Sequence, residues 1–479
     1  MYVIVGGGIA GLAAAYRLQS RGHEARLLEA SAEVGGLAAL YDTAGDPIEK
    51  FYHHLSKSEE TIVELADELG VGDDVEWRIG ESAYYRDGVV HPLDKPWEIL
   101  AYPGLGLYDT FRLACLTQGI DVRGGRPRFD TYDELSDFED VAVREFILEH
   151  TTRGVYEGFF EPLLRAKFGD RVEDVSAAWL LGRIKFRGER DLLRGEVLGY
   201  LDGSFDVLLD ALVDAVGEDA ITTGARVVDL DHDAEGVHAV TVEHTGEVGD
   251  DGDPGRIETI DDGIDGVIVA AMPNVLEKLT GYACDIDFQG AVCATLTMDE
   301  PLTDTYWLNV ADDAPFGALI EHTNFVPPER YGGDHLLYVA SYVQSPDEQN
   351  WRADDAALED RWLSGIEDLF PEFDREAVSG FRVARNPRAA PVYERGYLET
   401  VVPYDLADAG LPGVYYAGMA SRAQYPERSL NGGVVAGFAA ADAADDDPDA
   451  ATDDDSGSAG GDESSEYGVP SDARGSGVR

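Results

Sequence analysis

The chain has 479 residues, 44% hydrophobic and 10% aromatic, enough for two or more domains with real cores. Against 37 lysines and arginines stand 94 aspartates and glutamates, a net charge of −57. That balance argues against nucleic acid as a partner, because a phosphate backbone would be repelled, and against an anionic membrane surface. Residues 445–479 hold 11 acids and 2 bases, which leaves −48 on residues 1–444. Lysine stands only at positions 50, 57, 95, 167, 185 and 278. Diffuse acidity with so little lysine is expected of a protein adapted to molar salt, where self-repulsion is screened. Cys115, Cys284 and Cys293 lack any CxxC or metal spacing and read as buried small hydrophobes in a reducing compartment. The apolar start has no basic region before it, and no run reaches the ~18 apolar residues of a membrane span. A cytoplasmic protein with no integral membrane segment is expected.

In chain order, residues 2–5 read as a short apolar strand, Leu12 to Arg21 as a helix closed by Gly22, and Ala25–Glu29 as a second strand. Ser56 and Glu59 have the spacing of a capping box opening a helix that Gly70 ends. Gly80 to about His91 reads as a hairpin turning at Asp87-Gly88. Asp94 to Arg190 is mostly helical, and Phe205 to Val216 is an amphipathic helix stopped by Gly217. Strand-like runs follow at 225–230 and 237–243, an acidic hairpin insertion at 246–265, and a buried strand at Gly266–Ala271. Residues 291–298 and 335–343 alternate as in an antiparallel sheet, Val414–Ala417 is a last core strand, and Gly432–Ala444 is a helix rich in small residues. Residues 445–479 cannot bury enough to fold and read as a disordered acidic tail.

The most informative motif is Gly6-Gly7-Gly8-Ile9-Ala10-Gly11, lying between a strand and a helix. Gly6 permits the tight turn, Gly8 lets the backbone approach a pyrophosphate, and Gly11 lets helix pack on strand. The helix start offers free N–H groups and the positive end of its dipole to phosphates. Glu29 follows at the end of the second strand, where a carboxylate accepts ribose hydroxyls. Residues alone therefore point to dinucleotide binding.

The next segment, Glu29-Ala30 followed by Gly35-Gly36-Leu37, makes the N-terminus resemble the superfamily of flavin-dependent amine oxidases, protoporphyrinogen oxidases and phytoene desaturases. Gly413 to Met419 with Asn431 to Gly437 resembles that superfamily's C-terminal flavin motif, with Met419 where many relatives have aspartate. Gly199 to Ser204 resembles a further motif, and Val227 matches the position that packs on adenine. Ala390-Pro391-Val392-Tyr393 resembles a short segment of protoporphyrinogen oxidase-like enzymes. Glu49 to His54, Glu321 to Asn324 and Tyr425-Pro426-Glu427-Arg428 resemble a protoporphyrinogen oxidase-like branch associated with glycan assembly. The resemblance implies FAD as cofactor and an α/β fold: a Rossmann-like FAD-binding domain from residues 1–75, 195–275 and 405–444. A substrate domain of helices and antiparallel sheet would take 76–194 and 276–404. It implies an oxidoreductase that passes a hydride from a small-molecule substrate, hydrophobic or lipid-linked, to flavin. Two alternatives stand beside it: a flavin-dependent mutase like UDP-galactopyranose mutase, and a non-catalytic escort protein of the same fold.

For chemistry beyond the cofactor, the paired His53 and His54 are expected to hydrogen-bond the flavin or to act as acid and base at neutral pH. Arg422, Gln424 and Arg428 face either the cofactor, an anionic substrate or surface acids. Tyr306, Trp307, Glu321, Asn324 and Tyr342 stand on expected sheet strands, either lining a substrate cavity or, for most of them, packing in the core, with Asn324 the one expected functional group. The apolar run Trp97 to Leu107 reads as a core helix and turn; a substrate entrance or peripheral membrane contact is the alternative. No metal site is read.

Overall fold

The structure is a computed structural model that describes residues 1–120, 122, 135–186, 190–191, 195–245 and 255–445. The expected acidic tail beyond residue 445, and residues 246–254 of the expected insertion, lie outside the described residues.

A five-stranded parallel sheet runs in the order Ile221–Thr222, Ala25–Leu28, Tyr2–Val5, Gly266–Val269, Val414–Tyr416. The central strands Tyr2–Val5 and Gly266–Val269 are buried throughout, as both faces of a parallel sheet require. Hence their sequences are continuously apolar instead of alternating. The first helix begins earlier than its periodicity suggests, spanning Ile9–Ser20. The helix Asp206–Val216 ends on Gly217, as expected, with that glycine at φ 86°.

The last helix, Leu430–Asp445, lies against the first, and its small residues explain how. A Cβ on Gly437 would sit 2.3 Å from the Ala10 carbonyl oxygen, and one on Gly433 would sit 2.6 Å from the Ile9 side chain. Only glycine permits this approach of the two ends of the chain. Gly437→Leu is therefore expected to destabilise the fold by about 3 kcal/mol through overpacking, read as a lower denaturant midpoint at unchanged slope.

A second, seven-stranded sheet has the order Val378–Pro391, Phe288–Met298, His335–Val343, Ala318–Glu321, Trp307–Val310, Ser82–Arg86, Val89–Pro92. The alternating runs near 291–298 and 335–343 pair antiparallel, as expected. One pairing departs from the expected antiparallel sheet: Trp307–Val310 joins Ser82–Arg86 in parallel. The hairpin at Asp87-Gly88 is present, with both turn residues at positive φ. The expected capping box is only half formed. Ser56 belongs to the strand Leu55–Ser56, and its N–H donates to Glu59 at 2.7 Å, but the helix starts at Glu60. Its Ile62 N–H is capped instead by the Asn431 side chain at 2.9 Å, from the start of the last helix.

The run Trp97 to Leu107 is divided. Tyr102 and Leu105 are buried, while Trp97, Leu100 and Leu107 are exposed. The expectation of a core helix and turn therefore holds for one face only. No described helix is long and apolar enough to cross a membrane.

Candidate active site

At the C-terminal edge of the parallel sheet, three glycines take different parts. Gly6, at φ 112°, turns so tightly that a Cβ would sit 2.5 Å from the Ala270 carbonyl oxygen. Gly11 packs so closely that a Cβ would lie 1.9 Å from the Gly6 oxygen. Gly8 is different. A Cβ there would meet nothing nearer than the Gly36 Cα at 4.0 Å, so its face is open. Gly8 bridges Gly35 in parallel, and the Gly35 N–H donates to the Gly7 oxygen at 2.8 Å, which locks the second glycine turn onto the first. The helix starting at Ile9 has no side-chain cap, leaving its N-terminal N–H groups for a ligand. The Glu29 carboxylate accepts N–H bonds from Gly7 at 2.6 Å and Ser31 at 2.7 Å, and so is held at the rim of this cradle.

From the opposite end of the chain, Gly418 passes so close that a Cβ would lie 2.2 Å from the Ala271 oxygen, and this delivers Met419 to the same opening. A cavity of about 1630 Å³ extends from the cradle to the face of the seven-stranded sheet. Small-molecule pockets run to roughly 300–1,000 Å³, so there is room for an elongated cofactor and a further ligand together. Of the expected cofactor residues, Gly6, Gly8, Ile9, Ala10, Glu29, Gly35, Gly36, Leu37, Gly418 and Met419 line it. Gly7, Gly11, Ala30 and Val227 do not line it; Gly7 and Gly11 shape the turn, and Val227 is buried in the core. The open Gly8–Gly36 cradle and the uncapped helix fit a pyrophosphate, and Glu29 fits the ribose next to it.

His53 and His54 both reach the cavity. Burial, with Arg428 and His54 adding repulsion, pushes His53 down to about 3. His53 is thus held as a neutral imidazole at neutral pH, able to hydrogen-bond without carrying a charge. His54 Nδ1 lies 3.0 Å from the Tyr306 hydroxyl, and its ring packs edge-on against Trp307.

Asn324 corrects a sequence expectation. It is exposed, away from the cavity, and its side-chain amide donates to the Thr303 carbonyl at 2.6 Å. A short helical turn, His322–Asn324, carries it outward. Trp307 and Tyr342 line the cavity. Glu321 is buried, accepting the Leu302 N–H at 2.9 Å. Arg422 is exposed, whereas Gln424 and Arg428 face the cavity. Tyr393 of the Ala390–Tyr393 segment is fully buried and donates to the Gln424 carbonyl at 3.0 Å, holding that turn in place.

Of the charged cluster in the cavity lining, sequence reasoning found Arg428 but missed Lys167, Arg183 and Glu427. The helix Glu161–Phe168 carries Lys167, and Ala177–Phe186 carries Trp179 and Arg183. The second helix fits against the chain's end because Gly182 leaves room: a Cβ there would be 2.3 Å from Pro426. Glu427 then receives Lys167 Nζ at 2.7 Å on one carboxylate oxygen and Arg183 on the other. Burial would raise the Glu427 carboxyl, but Arg183 and Lys167 overcome it and hold the group down at about 2. Lysine scarcity was the available signal: among the lysines whose side chains are described, Lys167 alone is buried.

A glycine-lined turn on a parallel sheet thus opens into a chamber that reaches a second sheet. The chain belongs to the flavin containing amine oxidoreductase family, whose pattern matches residues 9–444, and the family implies a flavin cofactor. Among curated relatives, coproporphyrinogen III oxidase of Mycobacterium tuberculosis (strain ATCC 25618 / H37Rv) is 30% identical over 236 residues, covering 44% of this chain and 50% of the relative. L-amino-acid oxidase of Demansia vestigiata is 25% identical over 248 residues, covering 49% of this chain and 46% of the relative. The chain thus spans about half the length of the curated relatives it matches. Among solved structures, one named as a protoporphyrinogen oxidase from Exiguobacterium sp. 255-15 superposes with a TM-score of 0.71 at 17% identity, covering 92% of this chain and 98% of the other. Reduced UDP-galactopyranose mutase gives 0.66 at 16% identity, with 92% and 94% covered. At such identities the structures show a shared fold.

Proposed function

We propose that this protein is an FAD-dependent oxidoreductase that accepts a hydride from a small-molecule substrate bound in the chamber. The observation that carries this reading is the single continuous cavity joining the Gly8–Gly36 cradle to the wall bearing Trp307, Tyr342 and Arg428. Gly6 to Gly11, Glu29, Gly35-Gly36 and Gly418-Met419 would hold the cofactor, in a domain gathered from residues 1–75, 195–275 and 405–444. Bound flavin supplies hydride acceptance. The chain's own residues orient and shield. Neutral His53 offers a hydrogen bond without a charge, and His54 is fixed by Tyr306. The buried aromatic walls exclude water from the reacting atoms. The dispersed acidity is read as adaptation to high salt.

The family match supports oxidation over the mutase reading, which rests on fold likeness alone. The test is anaerobic titration of the purified holoprotein with candidate substrates, porphyrinogens and lipid-linked sugars among them. Stoichiometric bleaching of the flavin, reversed by an electron acceptor, is the expected result. Turnover only after prior chemical reduction, with no net electron transfer, would replace this reading with the mutase. A colourless protein that gains no flavin on reconstitution would replace both with the escort protein.

A further inference from the structure

One part of the chamber lining gathers cations. Lys167, Arg183 and Arg428 all line it, and the carboxylate among them is Glu427, shared between Lys167 and Arg183. Glu196 is the further acid acting on Arg183. Among the described residues, the three cations meet two acids that act on them, Glu427 and Glu196, in a chain with far more acids than bases. The side chains of Lys167 and Arg183 are only 10% and 25% exposed, so bulk water screens their charge poorly. They are also fixed in place. Lys167 Nζ stands 5.1 Å from the Trp179 ring, and the Arg183 guanidinium 5.4 Å from the same ring. Arg428 is hydrogen-bonded to Tyr342, and its Nε is buried without a partner. The surroundings answer to the imbalance: burial would raise the Tyr342 hydroxyl, yet Lys167 and Arg428 pull it below its ordinary range. The same cavity lining also includes the apolar side chains of Leu113, Leu163, Ile184 and Val275.

We infer that Lys167, Arg183 and Arg428 form a subsite for an anionic oxygen group, carboxylate or phosphate, on a ligand whose remaining body is apolar. The inference rests on reading the chamber as the substrate site. Glu427 is the resident counter-ion that aligns Lys167 and Arg183 and competes with the incoming anion.

The test is calorimetric titration of the purified protein, at the lowest salt that keeps it folded, with 4-phenylbutyrate, 4-phenylbutyl phosphate and the neutral 4-phenylbutanol. Either acid is expected to bind at least about tenfold tighter than the alcohol, the scale of a charge-assisted hydrogen bond in a shielded site. The stronger of the two acids names the group. Lys167→Met should erase most of that preference while leaving the alcohol unchanged. Glu427→Gln should move the other way and tighten the acids, which simple structural damage would not do. Equal affinity for acids and alcohol in the unaltered protein would overturn the subsite. So would a Glu427→Gln protein that loses acid and alcohol binding in step. Flavin absorbance of the same samples is read separately, so a protein that binds the acids but holds no flavin would sink the oxidoreductase reading and leave the subsite standing.

Discussion

Gly8→Val is expected to yield a folded protein that purifies without flavin. The backbone at Gly8 is extended, at φ −72° and ψ 175°, so a β-branched residue is compatible with it. A Cβ there meets nothing closer than 4.0 Å, so the fold tolerates it. The added methyl groups instead enter the cavity lined by Gly8 and Gly36, where a pyrophosphate would lie. Cofactor affinity should fall by at least about a hundredfold, roughly 3 kcal/mol, with the melting temperature of the flavin-free protein unchanged. Gly11→Val is the contrasting variant. Its Cβ would stand 1.9 Å from the Gly6 oxygen, a backbone clash that no rotamer relieves, so the soluble protein itself should be lost. The comparison is made by visible absorbance and circular dichroism. A Gly8→Val protein that retains full flavin absorbance would place the cofactor elsewhere in the chamber.

The second large effect is a pH dependence set by Glu49. Its side chain is fully buried, and accepts hydrogen bonds from the Tyr200 hydroxyl at 2.8 Å and the Phe205 N–H at 3.0 Å. Burial dominates those donors and raises the carboxyl from 4.5 to about 7. Between these two values the folded protein keeps a proton that the unfolded chain releases. Its contribution to stability is therefore fully present below pH 4.5 and is lost as pH rises through 7. The span corresponds to about 3 kcal/mol. Glu49→Gln mimics the protonated form at every pH, so its stability relative to the unaltered protein should improve by about 3 kcal/mol between pH 5 and pH 8.5. Urea unfolding of both proteins at the two pH values measures it. A constant difference would mean that Glu49 is charged and paired in the fold.

Much of the cofactor cradle was legible because its chemistry is local. Gly6, Gly8 and Gly11 must fall within one turn between strand and helix, and Glu29 must end the adjacent strand; a single stretch of chain encodes all four. The same holds for the Asp87-Gly88 turn and for Gly217 ending its helix. Ser56 shows the limit even of local rules. Its N–H meets Glu59 as the capping box expects, yet Asn431, 369 residues from Ile62, completes the cap.

The joining of Lys167 and Arg183 to Glu427 was illegible for the same physical reason. Lys167 and Glu427 are 260 residues apart, and neither periodicity nor spacing connects them. They meet because Gly182 lets one helix close on Pro426 and because Tyr393 pins the Gln424 turn. Asn324 illustrates the opposite error: its surrounding residues resemble a functional segment, but the direction a side chain takes out of a short helical turn is settled by packing. By itself the sequence determined the parallel core and the glycine-rich turn beside it, because these depend on residues close together and on glycines that no other residue replaces. Which charges share the chamber was decided only when tertiary packing brought distant helices and the end of the chain into one low-dielectric space.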